Sequence, residues 1–447
     1  MIRPARSRTR VGTDPGGNER MSGRALAIVV LGAVTMLLDG FDNQLLGFAV
    51  LQIVDEFGSS RAEFGWVFAV GFVGIGVGTA LGGLVGDRIG RKPCLILAVL
   101  VFGTFTLISA TTGGTLAFAC CRIVAGVGLG MALPAVTSLV AEFTPARWRH
   151  LAIAVSIACI PGGALVGGLV AAAVLPRWGW RELYLIGGVV PLLLVVVLAL
   201  VLLESPQFLA ARGRPGDDER RAAVLRRTGR AVVPPAPDPI AAGAGTGSPR
   251  ALLGRELRRD SLALWGAFFF SLLGVFSFFS WGPSLLQANG YSLAAASLSI
   301  TLYNAGGIVV ALVAGVLIGR IGSRPVMLAL AAGAALSAGW LLLVPPVDGT
   351  TGITFVAQIV LHGGCFAGLQ TVLYNLASHI YPAGIRATGV GAAGTVGRAG
   401  AITAALVAGG LVGAAGHGFL LLLLAAATLA GASLLLVRRH VPARRGT

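Results

Sequence analysis

Twelve apolar segments of membrane-spanning length recur along this chain of 447 residues and constrain its fold more than any other feature. A helix of about 20 apolar residues spans the ~30 Å hydrocarbon core of a bilayer. Because a bilayer offers no water to the backbone amides, such segments must pair them internally as helices. The sequence therefore predicts an all-α polytopic membrane protein with twelve transmembrane helices, at residues 25–54, 62–86, 94–111, 115–140, 151–175, 183–203, 261–286, 293–318, 326–344, 352–379, 388–414 and 417–437.

The composition excludes most soluble classes of protein. Only 12% of the residues are charged and 55% are apolar, whereas soluble domains carry about 25% charged residues. A water-soluble enzyme and a nucleic-acid-binding module are therefore excluded, despite a formal net charge of +16. The five cysteines lie inside apolar segments without metal-ligand spacing, and we expect neither a metal site nor a cofactor.

The arginines predict the orientation of the chain. Of the 34 basic residues, 29 lie on the side of the termini, and the loops of the other side hold only Arg61, Arg177 and Arg181. By the positive-inside rule, both termini are cytoplasmic. The predicted organisation is a basic tail (1–23), a six-helix bundle (24–203), a cytoplasmic central loop rich in Arg, Pro and Gly (204–260), a second six-helix bundle (261–437) and a tail (438–447).

An internal repeat relates the two bundles. The loop at 83–93 matches the loop at 315–325, position by position at one constant offset. A second match, at a slightly larger offset, pairs Glu142, Pro145 and Arg149 with His379, Pro382 and Arg386. Duplicated six-helix halves predict two pseudo-symmetric bundles that rock about a substrate path between them.

The first of these loops resembles the signature of the major facilitator superfamily. The signature GxxxDRxGRK stands here as Gly83, Asp87, Arg88, Gly90, Arg91 and Lys92, and Gly319 replaces the acidic residue in the second copy. The resemblance implies the twelve-helix fold of that family and a latch at Asp87 on the cytoplasmic side. It also predicts a gate network, which we extend to Glu142, Arg147, Arg149, His379 and Arg386.

Three further stretches resemble the aromatic acid:proton symporters within that superfamily. Residues 38–44, with the sequence LDGFDNQ, are similar to the DGxD motif of the first helix in that family. Residues 122–149 resemble its fourth helix and the following loop, with Ala135 where Asn is common, and residues 397–402 resemble its eleventh helix. The resemblance implies proton-coupled uptake of an aromatic acid.

Four charges lie well inside the predicted helices, namely Asp39, Asp42, Arg122 and Arg398. Each costs about 2.5–3.5 kcal/mol at the bilayer centre, so it persists only if it is paired, hydrated or functional. Asp39 and Asp42 share a helix face, and two neighbouring carboxylates in a low dielectric cannot both ionise cheaply. We expect this pair to carry the proton. The alternative is that one of the two forms a structural ion pair with an arginine or binds the start of a neighbouring helix.

Arg398 is the first candidate for binding a substrate carboxylate, because it lies near the midplane and guanidinium pairs with carboxylates in a bidentate way. Arg122 is a second anion contact, a counter-charge to Asp39 or Asp42, or a clamp between helices. Polar side chains at cavity depth would bind a substrate hydroxyl, or else hydrogen-bond between helices: Gln44, Tyr303, Asn304, Tyr374 and Asn375.

The sequence thus predicts a secondary transporter, not an enzyme, in the cytoplasmic (inner) membrane. It imports an aromatic carboxylate of the benzoate, hydroxybenzoate or phenylpropionate class by proton symport with alternating access. The alternative is a symporter for a non-aromatic organic acid or a sugar. We expect a monomer in the lipid bilayer that needs only the proton gradient and binds no nucleic acid. The substrate itself and the proton-carrying Asp stay open at this stage.

Overall fold

The computed structural model describes residues 21–228, 252–344, 352–382, 385–412 and 416–442, which contain fourteen α-helices and no strand. Twelve of these helices are long and apolar enough to cross a membrane, which confirms the predicted all-α fold. The helices are α1 (Gly23–Phe57), α2 (Arg61–Ile89), α3 (Arg91–Ser109), α4 (Thr115–Phe143), α5 (Ala146–Val174), α6 (Trp180–Val201), α7 (Pro206–Arg212), α8 (Asp217–Arg227), α9 (Arg258–Ala288), α10 (Leu293–Ile321), α11 (Ser323–Leu343), α12 (Ile353–Ile380), α13 (Arg386–Leu411) and α14 (His417–Leu436).

Most observed helices extend a few residues beyond the apolar segments that predicted them, because polar residues at the ends are also helical. The hydroxyl of Ser22 caps α1 by accepting a hydrogen bond from the backbone N–H of Ala25. The same helix ends at Gly58, whose φ of 64° is favourable for glycine. Capping residues rather than hydropathy therefore set these ends.

The predicted central loop contains two short helices, α7 and α8, in its first part. Arg212 closes the turn between them with hydrogen bonds from Nε to Asp217 Oδ2 at 2.8 Å and from Nη2 to Oδ1 at 2.5 Å. Residues 229–251 of this loop, and the tails 1–20 and 443–447, lie outside the described residues.

The sequence repeat is also a repeat of helix crossings. In the first bundle, Gly74 of α2 lies against the backbone carbonyl of Ile123 in α4, so closely that a Cβ would overlap it. In the second bundle, Gly306 of α10 lies in the same way against Val360 of α12. These two pairs are related by the same offsets as the loop motifs. Helices α1–α6 and α9–α14 thus form two equivalent bundles.

The two bundles meet on one side of the membrane. We call the side with the helix ends at Gly23 and Leu436 the terminal side, and the opposite side the far side. On the far side, the Phe68 and Trp281 rings lie 5.3 Å apart, those of Phe72 and Phe276 lie 4.8 Å apart, and Thr301 Oγ1 donates to the carbonyl of Leu165 at 2.9 Å. These contacts close the far side between the bundles.

On the terminal side, α12 carries accessible polar and aromatic residues. Tyr374 is 42% exposed, and Asn375 and Ser378 are also exposed. The ring contacts and the hydrogen bond between the bundles thus lie on the far side, and this part of α12 is uncovered on the terminal side.

Candidate functional site

The crossing of α1 and α5 positions the acidic motif of α1. A Cβ on Gly40 would overlap the carbonyl of Ile160, and a Cβ on Gly163 would overlap the carbonyl of Leu37. The two backbones are in direct contact, which only glycine allows at these positions. This contact fixes the rotation of α1 and hence the directions of Asp39 and Asp42.

Asp42 forms a closed ion pair inside the first bundle. Its side chain is fully buried, and Arg122 Nη2 of α4 donates to Oδ1 at 3.0 Å. The hydroxyl of Thr106 in α3 donates to Oδ2, and Arg122 Nη1 donates to that hydroxyl at 3.4 Å. The guanidinium also lies over the ring of Tyr184, 5.8 Å from its centre. Of the roles considered for Arg122, this geometry favours the counter-charge to Asp42.

Asp39 has different surroundings, although it is only three residues away. It is 8% exposed and makes no hydrogen bond or ion pair with any residue that the structure describes. Its charged neighbours are Asp42 on the same helix and Arg398 on α13 of the other bundle. Asp39 is thus an unpaired carboxyl group on the path between the bundles.

Arg398 presents an unpaired cation to the same path. Its Nη1 atom is buried and has no hydrogen-bond partner among the described residues. This atom lies 3.9 Å from the position that a Cβ of Gly76 in α2 would take, and Tyr374 of α12 is also within electrostatic range. An unpaired guanidinium at this depth is costly, so the site favours binding of an anion.

The two charges lie at crossings that the repeat makes equivalent, but on helices that do not correspond to each other. Gly400 packs against the backbone of Phe269 as Gly163 packs against Leu37, and the same two offsets relate these pairs. By those offsets, Arg398 corresponds to Pro161 and Asp39 to Ser271. The crossing of α1 and α5 therefore carries an acid on α1, whereas the equivalent crossing of α9 and α13 carries a cation on α13.

The structure brings Tyr374 to the predicted site but places Tyr303 elsewhere. Tyr374 lies near Arg398, with its ring 4.9 Å from that of Phe268. Tyr303 is fully buried inside the second bundle, where its ring stacks on Phe278 at 4.8 Å and its hydroxyl has no partner among the described residues.

The three predicted amides also differ in their surroundings. Gln44 is buried, and its Nε2 atom has no partner in the described part of the chain. Asn304 donates to the carbonyl of Ile300 one turn earlier at 2.8 Å, and Asn375 is exposed on the terminal side. Gln44 is the amide with an unused donor near the acidic motif.

The residues of the predicted gate make contacts within the first bundle. Arg91 Nη2 pairs with Asp87 Oδ1 at 2.6 Å, Arg88 is exposed, and Gly90 starts α3 with a φ of 109°. Lys92 Nζ donates to the carbonyls at the end of α6, 2.8 Å from Ala199 and 2.7 Å from Leu202. These contacts join the loop to its own bundle.

Glu204 is a structural residue outside the predicted gate network. Its Oε1 atom accepts hydrogen bonds from the backbone N–H groups of Arg91 at 2.9 Å and Lys92 at 3.1 Å, and so caps α3. Its neighbour Ser205 donates to Glu142 Oε2 at 2.5 Å. The signal available in the sequence is a carboxylate that directly follows the apolar segment of α6 and precedes Pro206 by two residues.

The remaining gate residues are distributed as follows. Arg149 has a buried Nε atom without a partner among the described residues, and His379 is exposed. The side chains of Arg147 and Arg386 lie outside the described part of the structure.

Sequence reasoning also missed polar residues around Asp42 and inside the second bundle. Thr106 and Tyr184 complete the surroundings of Asp42, and His362 is fully buried in the second bundle with Nδ1 3.0 Å from Ser337 Oγ. Within the described residues, no group of three or more His, Cys, Asp and Glu side chains could hold a metal ion.

Comparison with known proteins assigns the family. The sequence profile of the Major Facilitator Superfamily matches residues 32–347 and 264–447. The chain belongs to the Major Facilitator Superfamily. This membership confirms the predicted family and the prediction of a transporter rather than an enzyme.

The relatives make the assignment more specific. The chain is 34% identical to the gallate transporter of Pseudomonas putida, covering 93% of this chain and 92% of that protein. It is 32% identical to the 4-hydroxybenzoate transporter of Pseudomonas aeruginosa, covering 86% of each. Its fold is similar to that of the E. coli xylose transporter in a partially occluded inward open conformation, with a TM-score of 0.71, 20% identity and coverage of 94% of this chain and 99% of that one.

Proposed function

We propose that this chain imports an aromatic carboxylate of the benzoate, hydroxybenzoate or phenylpropionate class together with protons. Relatives named for gallate and 4-hydroxybenzoate support the substrate class. The observation that carries the mechanism is the unpaired Asp39 of one bundle near the unpaired Arg398 of the other.

We also propose that the protein works as a monomer in the cytoplasmic membrane, with both termini in the cytoplasm. The 29 basic residues on the side of the termini support this orientation. The terminal side is then cytoplasmic, and the structure corresponds to an inward-facing state.

Charge balance explains how Asp39 and Arg398 would couple the two fluxes. In the empty carrier, ionised Asp39 offsets the charge of Arg398. In the loaded carrier, a proton neutralises Asp39 and the substrate carboxylate pairs with Arg398 instead. Both states are neutral at the site, whereas a carrier with only the proton or only the substrate has a net charge in a low dielectric. The path therefore closes around both ligands or neither.

The same argument weighs against a neutral sugar, because a sugar leaves Arg398 unpaired once Asp39 is protonated. A non-aromatic organic acid satisfies the charge balance equally well. The accessible aromatic side chain near Arg398, Tyr374, favours a substrate with a ring, and the buried ring of Phe268 packs against it.

A binding screen on the purified protein tests the substrate class. We expect benzoate, 4-hydroxybenzoate or 3-phenylpropionate to raise the melting temperature, and hexanoate and glucose to leave it unchanged. Stabilisation by hexanoate alone would support the non-aromatic alternative, and stabilisation by glucose alone would contradict the proposal.

The role of Arg398 is tested with the same assay. We expect Arg398→Ala to weaken benzoate binding at least about tenfold, since it removes a charge-assisted contact of roughly 1.5–3 kcal/mol. Binding of the neutral isostere benzamide changes little. Arg320→Ala, at an exposed arginine of α10, is the matched control. Equal losses for benzoate and benzamide would remove Arg398 from the carboxylate site.

A further inference from the structure

The hydrogen bonds around Asp42 have a defined direction. Arginine is always a donor, so Arg122 donates both to Asp42 Oδ1 at 3.0 Å and to the Thr106 hydroxyl oxygen at 3.4 Å. That oxygen accepts from Arg122, and its own hydrogen is directed to Asp42 Oδ2. Both carboxylate oxygens of Asp42 thus receive hydrogen bonds from fixed donors.

This arrangement favours the ionised form of Asp42. A proton on Oδ2 would turn towards the Thr106 oxygen, and the hydroxyl hydrogen of Thr106 would lose the acceptor that the structure gives it. A proton on Oδ1 would point at the guanidinium of Arg122. Either change leaves a buried donor unsatisfied and the charge of Arg122 without a partner, which is costly.

The other charged and titratable groups near Asp42 do not alter this conclusion. They are Asp39 on the same helix and Tyr184 on α6, whose hydroxyl has no partner among the described residues. Helix α3 contributes Thr106, and α4 contributes Arg122. Asp39 has no donor among the described residues, and the cation near it, Arg398, belongs to the other bundle.

We propose that Thr106 is a positioning residue that holds Asp42 as a carboxylate against Arg122 throughout the cycle. Asp39 is then the single proton carrier, and one proton accompanies each monocarboxylate. The proton binds a carboxylate oxygen of Asp39 from outside and leaves it to water inside, so that a cycle moves one positive and one negative charge together. Transport is therefore electroneutral. This inference rests on the proposed function.

The first test uses the unaltered full chain in proteoliposomes, with radiolabelled 4-hydroxybenzoate as the probe. A pH gradient of one unit, with the interior more alkaline, should give a limiting accumulation of about tenfold. An inside-negative potassium diffusion potential of about 60 mV, set with valinomycin, should leave that ratio unchanged, because no net charge moves. A two-proton cycle would add about another factor of ten at that potential.

The second test compares Thr106→Val with Thr106→Ser. Valine has nearly the same shape but no hydroxyl. Protonation of Asp42 therefore no longer leaves a donor at residue 106 without an acceptor. Arg122 still opposes protonation of Asp42, so we expect Asp42 to bind a proton in only part of the cycles of Thr106→Val. Accumulation then rises with the inside-negative potential, by less than the factor of about ten of a full two-proton cycle. Serine keeps the hydroxyl and restores electroneutral transport. A purely structural role for Thr106 would lower the rate without creating a dependence on potential.

The outcomes separate this inference from the proposed function. Accumulation that needs Asp39 and follows the pH gradient, but that also rises with the potential in the unaltered protein, overturns the one-proton inference and leaves symport intact. Uptake that does not respond to a pH gradient overturns the proposed function itself. If accumulation by Thr106→Val stays independent of the potential, as expected for the unaltered chain, the role of Thr106 is contradicted. The measurement on the unaltered chain stands even if that variant does not fold.

Discussion

Asp39 and Asp42 lie one helical turn apart on α1, but the fold gives them opposite surroundings. Successive residues of a helix are rotated by about 100°, so positions three apart differ by roughly 60° around the axis. This difference is enough to direct Asp42 to Arg122 inside the first bundle and Asp39 to the path between the bundles. In the proposed mechanism, similar residues of one short motif thus have different roles, structural for Asp42 and proton-carrying for Asp39.

Replacing each acid by its amide should therefore have different effects. We expect Asp39→Asn to abolish uphill uptake driven by a pH gradient, while substrate exchange continues because Arg398 is intact. Asp42→Asn should instead destabilise the protein by about 3–5 kcal/mol, since it leaves Arg122 buried without a counter-charge. Uptake and exchange in proteoliposomes, and unfolding in detergent, measure these effects.

The converse pattern would contradict this assignment. A stable Asp42→Asn protein that exchanges substrate but cannot accumulate it would make Asp42 the proton carrier. Normal uphill uptake by Asp39→Asn would remove Asp39 from the coupling mechanism.

At the residue scale, the sequence predicts the charges but not their pairing. Asp39, Asp42, Arg122 and Arg398 stand out because charges inside apolar segments are rare. The choice of partner depends on the rotation of α1, which is set by the contact between Gly40 and Ile160, two residues far apart in the chain. Thr106 carries no signal of its own, because a threonine in an apolar helix is common.

At the scale of helices, the contact between α1 and α5 is the element that holds the site in place. We expect Gly163→Ala to destabilise the protein by about 1–3 kcal/mol or more, because the added Cβ would overlap the backbone of α1. Gly162→Ala is the matched control, since a Cβ at Gly162 meets no atom within 4 Å. Melting temperatures of the two variants test this difference, and equal temperatures would refute the importance of the crossing.

The short helices α7 and α8 should be insensitive to pH in the physiological range. The side-chain hydrogen bond from Arg212 lowers the pKa of Asp217 from 3.8 to about 2. A lowered pKa in the folded state stabilises the turn above pH 3.8, and this contribution is lost only as the pH falls towards about 2. We expect the rate of limited proteolysis in residues 206–227 to be constant between pH 5 and 8, and to rise in Asp217→Asn. A sharp change near pH 6 would contradict the ion pair.

At the scale of the whole molecule, the far side closes through backbone contact between α2 and α13. A side chain at Gly65 would approach the carbonyl of Ala405 to 2.6 Å. We expect Gly65→Leu to prevent this closure, so that the carrier binds substrate in detergent but does not transport it. Gly113→Leu, in a far-side loop with no atom within 4 Å of its Cβ, is the control. Normal transport by Gly65→Leu would exclude this contact from the gate.

The sequence predicts the twelve spans and the repeat because hydropathy and loop motifs are local signals. It does not predict α7 and α8, whose stability depends on contacts such as those of Arg212 with Asp217 and of Ser205 with Glu142. The closure of the far side is equally inaccessible, since Phe68 and Trp281 lie in different halves of the chain and are ordinary members of apolar helices.

Asp39 and Arg398 lie at positions of the repeat that do not correspond to each other, and this has a consequence for the number of sites in such a chain. Two identical halves that each carried both charges would hold the Asp–Arg pair twice, once on each side of the symmetry axis. In the present chain, Ser271 stands at the position equivalent to Asp39, and Pro161 at the position equivalent to Arg398. The differences between the two halves thus leave a single pair, with room for one proton and one carboxylate.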